Sequence, residues 1–170
     1  MIRLATTKDI KSILTIVEDA RSQITKLGFS QWTKESNYPN EDTFMIDISK
    51  DSLYVYTKND LVLGMFVIDK EHNFDYDNIE GNWLSLGKYY TVHRLAVKEE
   101  TRHLGIGLKM LEFAKNIALK NKVSLRIDTH PKNTPMLNLI KKANFKYCGL
   151  IRLKKEKVEP ERKAYEMVLV

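Results

Sequence analysis

Cysteine is almost missing from this chain: Cys148 is the single thiol in 170 residues, so no disulfide can form within it. A chain of this length buries enough core to do without one, and a lone thiol suits a reducing compartment. Long apolar runs are also missing. None approaches the roughly 20 residues needed to cross a bilayer. The segment Met1-Ile2-Arg3-Leu4-Ala5 lacks the basic-then-apolar pattern of a secretory signal. A cytoplasmic location and no membrane partner are therefore expected. No repeat, low-complexity tract or Pro/Gly-rich linker divides the sequence, so one domain over residues 1–170 is expected. No group of His, Cys, Asp and Glu has zinc spacing, and no metal is expected.

What is present belongs to a globular protein. Hydrophobic residues make up 43%, which argues against disorder. The net charge of +6 raises nucleic acid as a partner. The lysines are scattered among acids, however, and the densest basic stretch, Lys154-Lys155-Glu156-Lys157, reads as a solvated loop or strand end. No helix-turn-helix, zinc-finger or RNA-binding signature accompanies the charge, so no nucleic-acid partner is expected. A basic surface does attract small anions that carry phosphates.

Periodicity outlines the elements. Ile2-Arg3-Leu4 reads as a strand, and Thr7 or Asp9 as the cap of a helix with the stripe Ile10, Ile13, Leu14, Val17, Ala20 and Ile24. After an irregular stretch from Gly28, Asn40 caps a second helix carrying Phe44, Met45 and Ile48. Leu53–Thr57 and Leu61–Ile68 form a hairpin around Lys58-Asn59-Asp60. The polar stretch from Asp69 to Gly87 is an excursion between strands, and Tyr89–Val97 is a central strand. Leu104, Leu108, Leu111, Ala114 and Ala118 mark a long helix, and Val123, Leu125 and Ile127 a strand. Thr134-Pro135 opens a further helix that Asn144 ends in the left-handed conformation. Phe145–Leu153 and Lys163–Val170 are closing strands. The order predicts a mixed α/β sheet covered by helices.

Chemistry concentrates after the central strand. Val92-His93-Arg94-Leu95-Ala96-Val97 is followed, four residues on, by Arg102-His103-Leu104-Gly105-Ile106-Gly107-Leu108. A glycine turn that opens a helix offers unpaired N–H groups and a partial positive charge, which suits phosphate. The run is not a P-loop, because no Gly-Lys-Ser/Thr is present. It is not a dinucleotide fingerprint either, because Met110 stands where the third glycine belongs.

Arg-x-x-Gly-x-Gly after a Leu-Ala-Val strand resembles the acetyl-CoA signature of the GNAT acetyltransferase superfamily. The likeness extends to Asn133 after the next strand and to Asn144-Phe145, which replaces the common Gly-Phe. The resemblance implies an α/β (α+β mixed) fold: a central, mostly antiparallel sheet with a splayed parallel strand pair and helices on both faces. It implies acetyl-CoA as co-substrate. Leu95, Ala96 and Val97 would meet the pantetheine and acyl group, Arg102, His103, Leu104, Gly105, Ile106, Gly107 and Leu108 would cradle the pyrophosphate, and Asn133 would complete the set. It also implies a Leu95 amide that faces developing negative charge. Many relatives carry a Tyr as general acid in the helix after the Asn. Its place here is Ile140, or Leu139 with a one-residue slip, and neither donates a proton.

The implied activity is N-acetyl transfer to a primary amine of a small molecule or peptide by direct attack. The missing Tyr keeps a non-catalytic acetyl-CoA sensor as the alternative. His93 is the first candidate for a base: strand alternation predicts it on the face of Leu95 and Val97, and an imidazole titrates near neutrality. It reads equally as a hydrogen-bonded core residue. Asp128 could orient a base or bind the acceptor ammonium, or could belong with Thr129-His130 to a strand-end turn. Trp32 either lines the acceptor cleft or anchors its loop, and Trp83 has the same two readings. Homodimer formation stays open.

Overall fold

The structure, a computed structural model, describes residues 1–169. Its elements are β1 (Ile2–Leu4), α1 (Ile10–Leu27), α2 (Glu41–Ser49), β2 (Leu53–Lys58), β3 (Leu61–Asp69), β4 (Glu80–Gly81), β5 (Tyr89–Val97), α3 (Ile106–Lys120), β6 (Ser124–Thr129), α4 (Thr134–Lys142), β7 (Lys146–Arg152) and β8 (Glu161–Met167). They build one eight-stranded sheet in the order β1-β2-β3-β5-β6-β8-β7-β4. Every neighbouring pair is antiparallel except β5 and β6. Among the described residues no helix is long and apolar enough to cross a membrane.

Local chemistry sets the boundaries. Thr6 and Asp9 form a capping box ahead of α1, and Gly28, at φ 77°, closes it by donating to the carbonyls of Ile24 and Thr25. The Asn40 side chain accepts from the Thr43 amide at 3.0 Å and starts α2. Asn59 and Asp60 both take positive φ, 50° and 64°, as a tight hairpin turn between twisted strands requires. Asn133 caps α4, and Asn144 leaves it at φ 66°.

Two cores sandwich the sheet. On one face α1 and α2 bury Ile13, Ile16, Val17 and Phe44 against Leu53, Val55, Met65 and Val67. On the other, α3 and α4 bury Met110, Leu111, Ala114 and Ile140 against Phe66, Val92, Leu125 and Ile127. α3 lies close to β3 because position 64 is glycine: a Cβ there would sit 3.1 Å from the Met110 sulfur. Three details depart from the periodic reading. Leu104 precedes α3 and is 65% exposed, and Ile106 and Met110 take its place in the core. Met45 faces solvent from α2. β8 begins two residues before Lys163 and ends at Met167, and the expected strand end at Val170 lies outside the described residues.

The polar excursion between β3 and β5 is ordered by a buried ion pair. Glu166, fully buried on β8, accepts from Arg126 Nε at 3.0 Å, from the Leu84 amide at 2.6 Å and from the Ser85 hydroxyl at 2.5 Å. The Arg126 guanidinium lies between the rings of Trp83 and Tyr89, 4.0 and 3.9 Å from their centroids. Trp83 therefore anchors the excursion. Within it a 3₁₀ turn (Phe74–Tyr76) and β4 form, and β4 pairs with β7. Glu166→Ala would strand a buried guanidinium and is expected to cost about 3–5 kcal/mol in urea unfolding. A loss below about 1 kcal/mol would show that the excursion holds without this pair.

Candidate functional site

β5 positions the site by leaving its parallel neighbour half-way along. The two strands pair from Tyr89↔Ser124 to Val92↔Ile127 and no further. Beyond that point β6 continues against β8 through Asp128↔Ala164 and Thr129↔Lys163. The strands splay into a V that opens at His93 on one side and Asp128 on the other.

A bulge lies at the mouth of the V. Val67 pairs with His93 and Met65 with Ala96, so β5 spends three residues where β3 spends two. The bulge contains Arg94, at φ 49°. A left-handed conformation in a non-glycine residue costs about 1–2 kcal/mol, and the Arg94 side chain is firmly held. Its Nε and Nη2 bond the two oxygens of Asp47 at 2.9 and 2.7 Å, and Nη1 donates to the Tyr38 hydroxyl at 2.7 Å. Arg94 thereby ties the bulge to α2 through the buried Asp47 and to the α1–α2 loop through Tyr38.

The extra residue changes which side chains share a face. Tyr90, Val92, Leu95 and Val97 all pack toward α3 and α4. Ala96 packs toward α1 and α2, as does Val67, the partner of His93. His93 therefore lies on the α1/α2 face, opposite Leu95 and Val97, and the expectation from strict alternation is corrected. The bulge is the reason, since it flips the phase between residues 93 and 95.

On that face His93 joins a polar group. Leu125 and Ile127 point toward α3, so Arg126 and Asp128 point the other way. The His93 Nε2 lies 4.0 Å from an Asp69 oxygen, and its side chain is 25% exposed. Burial pushes the imidazole below its ordinary pKa; Asp128, Asp69 and Asp47 oppose that and Arg94 reinforces it. Asp128 accepts a 2.6 Å hydrogen bond from the Tyr76 hydroxyl. Sequence reasoning missed Tyr76, which sits in a polar stretch with no periodicity to mark it. A cavity of about 430 Å³ adjoins the group, lined by Tyr38, Asp42, Asp47, Asp69 and Arg94 among others.

His130 lies elsewhere and is held by its neighbours. Its ring stacks on Phe29 at 4.3 Å, its Nδ1 accepts from the Lys132 amide, and its Nε2 lies 3.5 Å from Glu159. Glu159 also accepts from the Ser30 amide at 2.6 Å, which joins the α1–α2 and β7–β8 loops. Trp32 packs against the α1/α2 core, and its carbonyl takes the Arg21 Nε at 2.6 Å.

The glycine loop lies beyond β5. His103 and Gly105 take positive φ, 68° and 79°, which turns the chain into α3. No backbone amide from His103 to Leu108 has a backbone acceptor among the described residues. That run of donors at a helix start fits a phosphate group. The Arg102 guanidinium donates to the Asp19 carbonyl at 3.0 Å, which anchors the loop on α1. His103, Leu104 and Gly105 are exposed, Ile106 is buried in the core, and Leu108 is half-buried. Gly107 meets α4: a Cβ there would lie 2.8 Å from Leu139. Asn133 uses its side-chain oxygen to cap α4 through the Met136 amide at 3.3 Å. Among the described residues no group of three or more His, Cys, Asp or Glu side chains could hold a metal ion.

The model of the Acetyltransferase (GNAT) family matches residues 16–145. The chain belongs to the GNAT acetyltransferase family. A GNAT-family acetyltransferase from Streptococcus agalactiae 2603 is 32% identical, with a TM-score of 0.86 over 99% of this chain and 94% of that one. An acetyltransferase structure from Staphylococcus aureus Mu50 is 26% identical, with a TM-score of 0.75 over 100% and 99% of the two chains. A GNAT-family acetyltransferase from Listeria monocytogenes 4b F2365 shares the fold at 17% identity, with a TM-score of 0.71 over 98% and 93%. No curated protein matches the sequence. Within this GNAT fold, Ile140 is fully buried in the α3/α4 core, so α4 presents no proton donor at that position.

The two glycines lend themselves to substitution for different reasons. Gly105→Val strains a left-handed turn by about 1–2 kcal/mol, roughly tenfold in an equilibrium constant. Gly107→Val forces the Leu139 side chain of α4 to shift away from the first turn of α3. Both are expected to weaken acetyl-CoA binding in calorimetry by about tenfold or more, and normal affinity in both would remove the loop as the phosphate site.

Proposed function

We propose that this GNAT protein is an acetyl-CoA-dependent N-acetyltransferase, a single acyltransferase domain over residues 1–170 that works in the cytoplasm. The acceptor is a primary amine of a small molecule or peptide, attacking directly. The observation that carries the reading is the V between β5 and β6, bulged at Arg94 and followed by a loop whose amides lack backbone acceptors. When bound, acetyl-CoA supplies the thioester carbonyl that the amine attacks.

The chain's own residues do the rest. The amides of the 102–108 loop hold phosphate at the α3 N-terminus. Leu95, Ala96 and Val97 offer the free edge of β5 along the splay, and Asn133 stands at the start of α4 across it. The Leu95 N–H, next to the left-handed Arg94, donates to the oxygen on which negative charge develops. An alkylamine is mostly protonated at pH 7, with a pKa near about 10.4. His93, held neutral by burial, takes its proton on the α1/α2 face, and Asp128 faces the resulting positive charge. Trp32 anchors the loop that walls the acceptor side. The leaving thiolate gains its proton from solvent.

His93→Ala is expected to lower kcat by about 10²–10⁴-fold with acetyl-CoA affinity unchanged. Because burial lowers the pKa of His93, the neutral base persists as pH falls. The acid limb of kcat/KM is therefore expected below about pH 6.5, and His93→Ala is expected to abolish it. An unaltered profile in that variant would remove the base assignment.

Ile140 in the core favours one second reading, a module that binds acetyl-CoA without turnover. Calorimetry with acetyl-CoA, followed by thiol release across an amine panel, separates the two. Saturable binding with amine-dependent thiol release supports the enzyme. Tight binding with no release from any amine supports the sensor.

A further inference from the structure

We propose that Tyr76 is a positioning residue that holds the Asp128 carboxylate toward His93 and away from Arg162. The inference rests on the reading in which His93 and Asp128 flank the reacting amine. It adds a residue to that pair which comes from neither strand of the V.

Asp128 sits where β6 has lost β5 as a neighbour and keeps only β8. Among the described residues the Tyr76 hydroxyl is the one donor to its side chain, at 2.6 Å to Oδ2. Oδ1 stays free for an imidazole or an ammonium. Tyr76 itself cannot swing away. It is 1% exposed, its ring packs on Trp83 and Tyr89 with centroids 4.9 and 6.0 Å apart, and its carbonyl accepts the Trp83 indole N–H at 2.9 Å. Trp83 is stacked on Arg126, which is paired with Glu166. Two further bonds hold the 3₁₀ turn: the Tyr89 hydroxyl accepts from the Asn73 amide at 3.2 Å, and Asp75 accepts from the Lys154 amide at 3.1 Å. The ordered excursion thus ends in one phenol aimed at one carboxylate.

A competitor explains why such a holder matters. Arg162 on β8 is 2% exposed, and its Nη1 bonds only the carbonyls of Glu159 and Glu161, at 2.7 and 2.8 Å. No carboxylate lies within 4.0 Å of it among the described residues. Ala164 is the cross-strand partner of Asp128, and Arg162 lies two residues from it on the same face of β8. A buried guanidinium without an ionic partner attracts the nearest free carboxylate strongly. The phenol bond holds Asp128 in one orientation against that pull.

The charged groups around the pair come from every neighbouring element. The Tyr76 hydroxyl of the excursion bonds Asp128, and His93 on β5 and Arg162 on β8 share its face of the sheet. Asp69, Arg94, Asp47 and Asp128 face His93, from β3, β5, α2 and β6. Asp69, 4.0 Å from His93 Nε2, and Asp128, on the same face of the sheet, both oppose the effect of burial on His93.

The test is an NMR titration of the His93 imidazole in the unliganded protein, assigned by comparison with His93→Gln. It compares the wild type with Tyr76→Phe, Asp128→Asn and the double variant, with thermal unfolding recorded for each. Tyr76→Phe keeps the ring and removes only the donor. Its Asp128 is expected to turn to Arg162, and the pKa of His93 to fall by about half a unit or more. Asp128→Asn is expected to lower it similarly, and the double variant no further. A wild-type His93 titration in Tyr76→Phe beside a lowered one in Asp128→Asn overturns the positioning role and leaves the His93–Asp128 pair standing. Equal additional shifts in both backgrounds overturn it too, because Tyr76 would then act independently of Asp128. An unmoved His93 in Asp128→Asn overturns the pair itself.

Discussion

The bidentate pair between Arg94 and Asp47 is the interaction on which the site depends. It holds a non-glycine residue left-handed in the middle of a sheet, and so keeps one extra residue in β5. That residue places His93 on the α1/α2 face while Leu95 and Val97 stay on the α3/α4 face. Without it, strand geometry would put all three on one side. The two faces then differ in character: the glycine loop opens α3, and the α1/α2 face carries the titratable groups and the cavity.

The excursion between β3 and β5 is the second constraint. Its composition is polar, yet it is ordered, because Glu166 and Arg126 turn two buried charges into a clamp for Leu84, Ser85 and Trp83. A buried ion pair is weak evidence for stability, since desolvation offsets most of its attraction. Its value here is geometric. It fixes where the segment lies, and through Tyr76 it reaches the open end of β6. Packing, hydrogen bonding and site geometry are therefore linked along one path from β8 to Asp128.

Much of this was legible before any coordinates. The cap at Asn40, the Thr134-Pro135 helix start, the left-handed exit at Asn144 and the Asn59-Asp60 turn are local devices, and each lies where its chemistry predicts. The GNAT likeness of the 92–108 segment led to the family and to the splayed parallel pair. Leu104 misled, because periodicity does not distinguish a loop residue just ahead of a helix from one in its first turn. His93 misled as to its face, because alternation assumes an unbroken strand. Tyr76 and Arg162 gave no signal at all: neither belongs to a periodic run, and their importance arises from partners far along the chain.

The sequence by itself determined the element order, the two amphipathic helix faces and the glycine turn after β5, because these depend on interactions between residues a few positions apart. The tertiary structure alone decided the bulge, the face on which His93 lies, and the meeting of Tyr76 with Asp128. A bulge is a property of two paired strands, and its position here is set by the register of β5 against β3. The contact between residues 76 and 128 exists only once the sheet has brought β6 beneath the excursion. Short-range patterns specify elements, and the chemistry of the site comes from long-range pairing that no local pattern encodes.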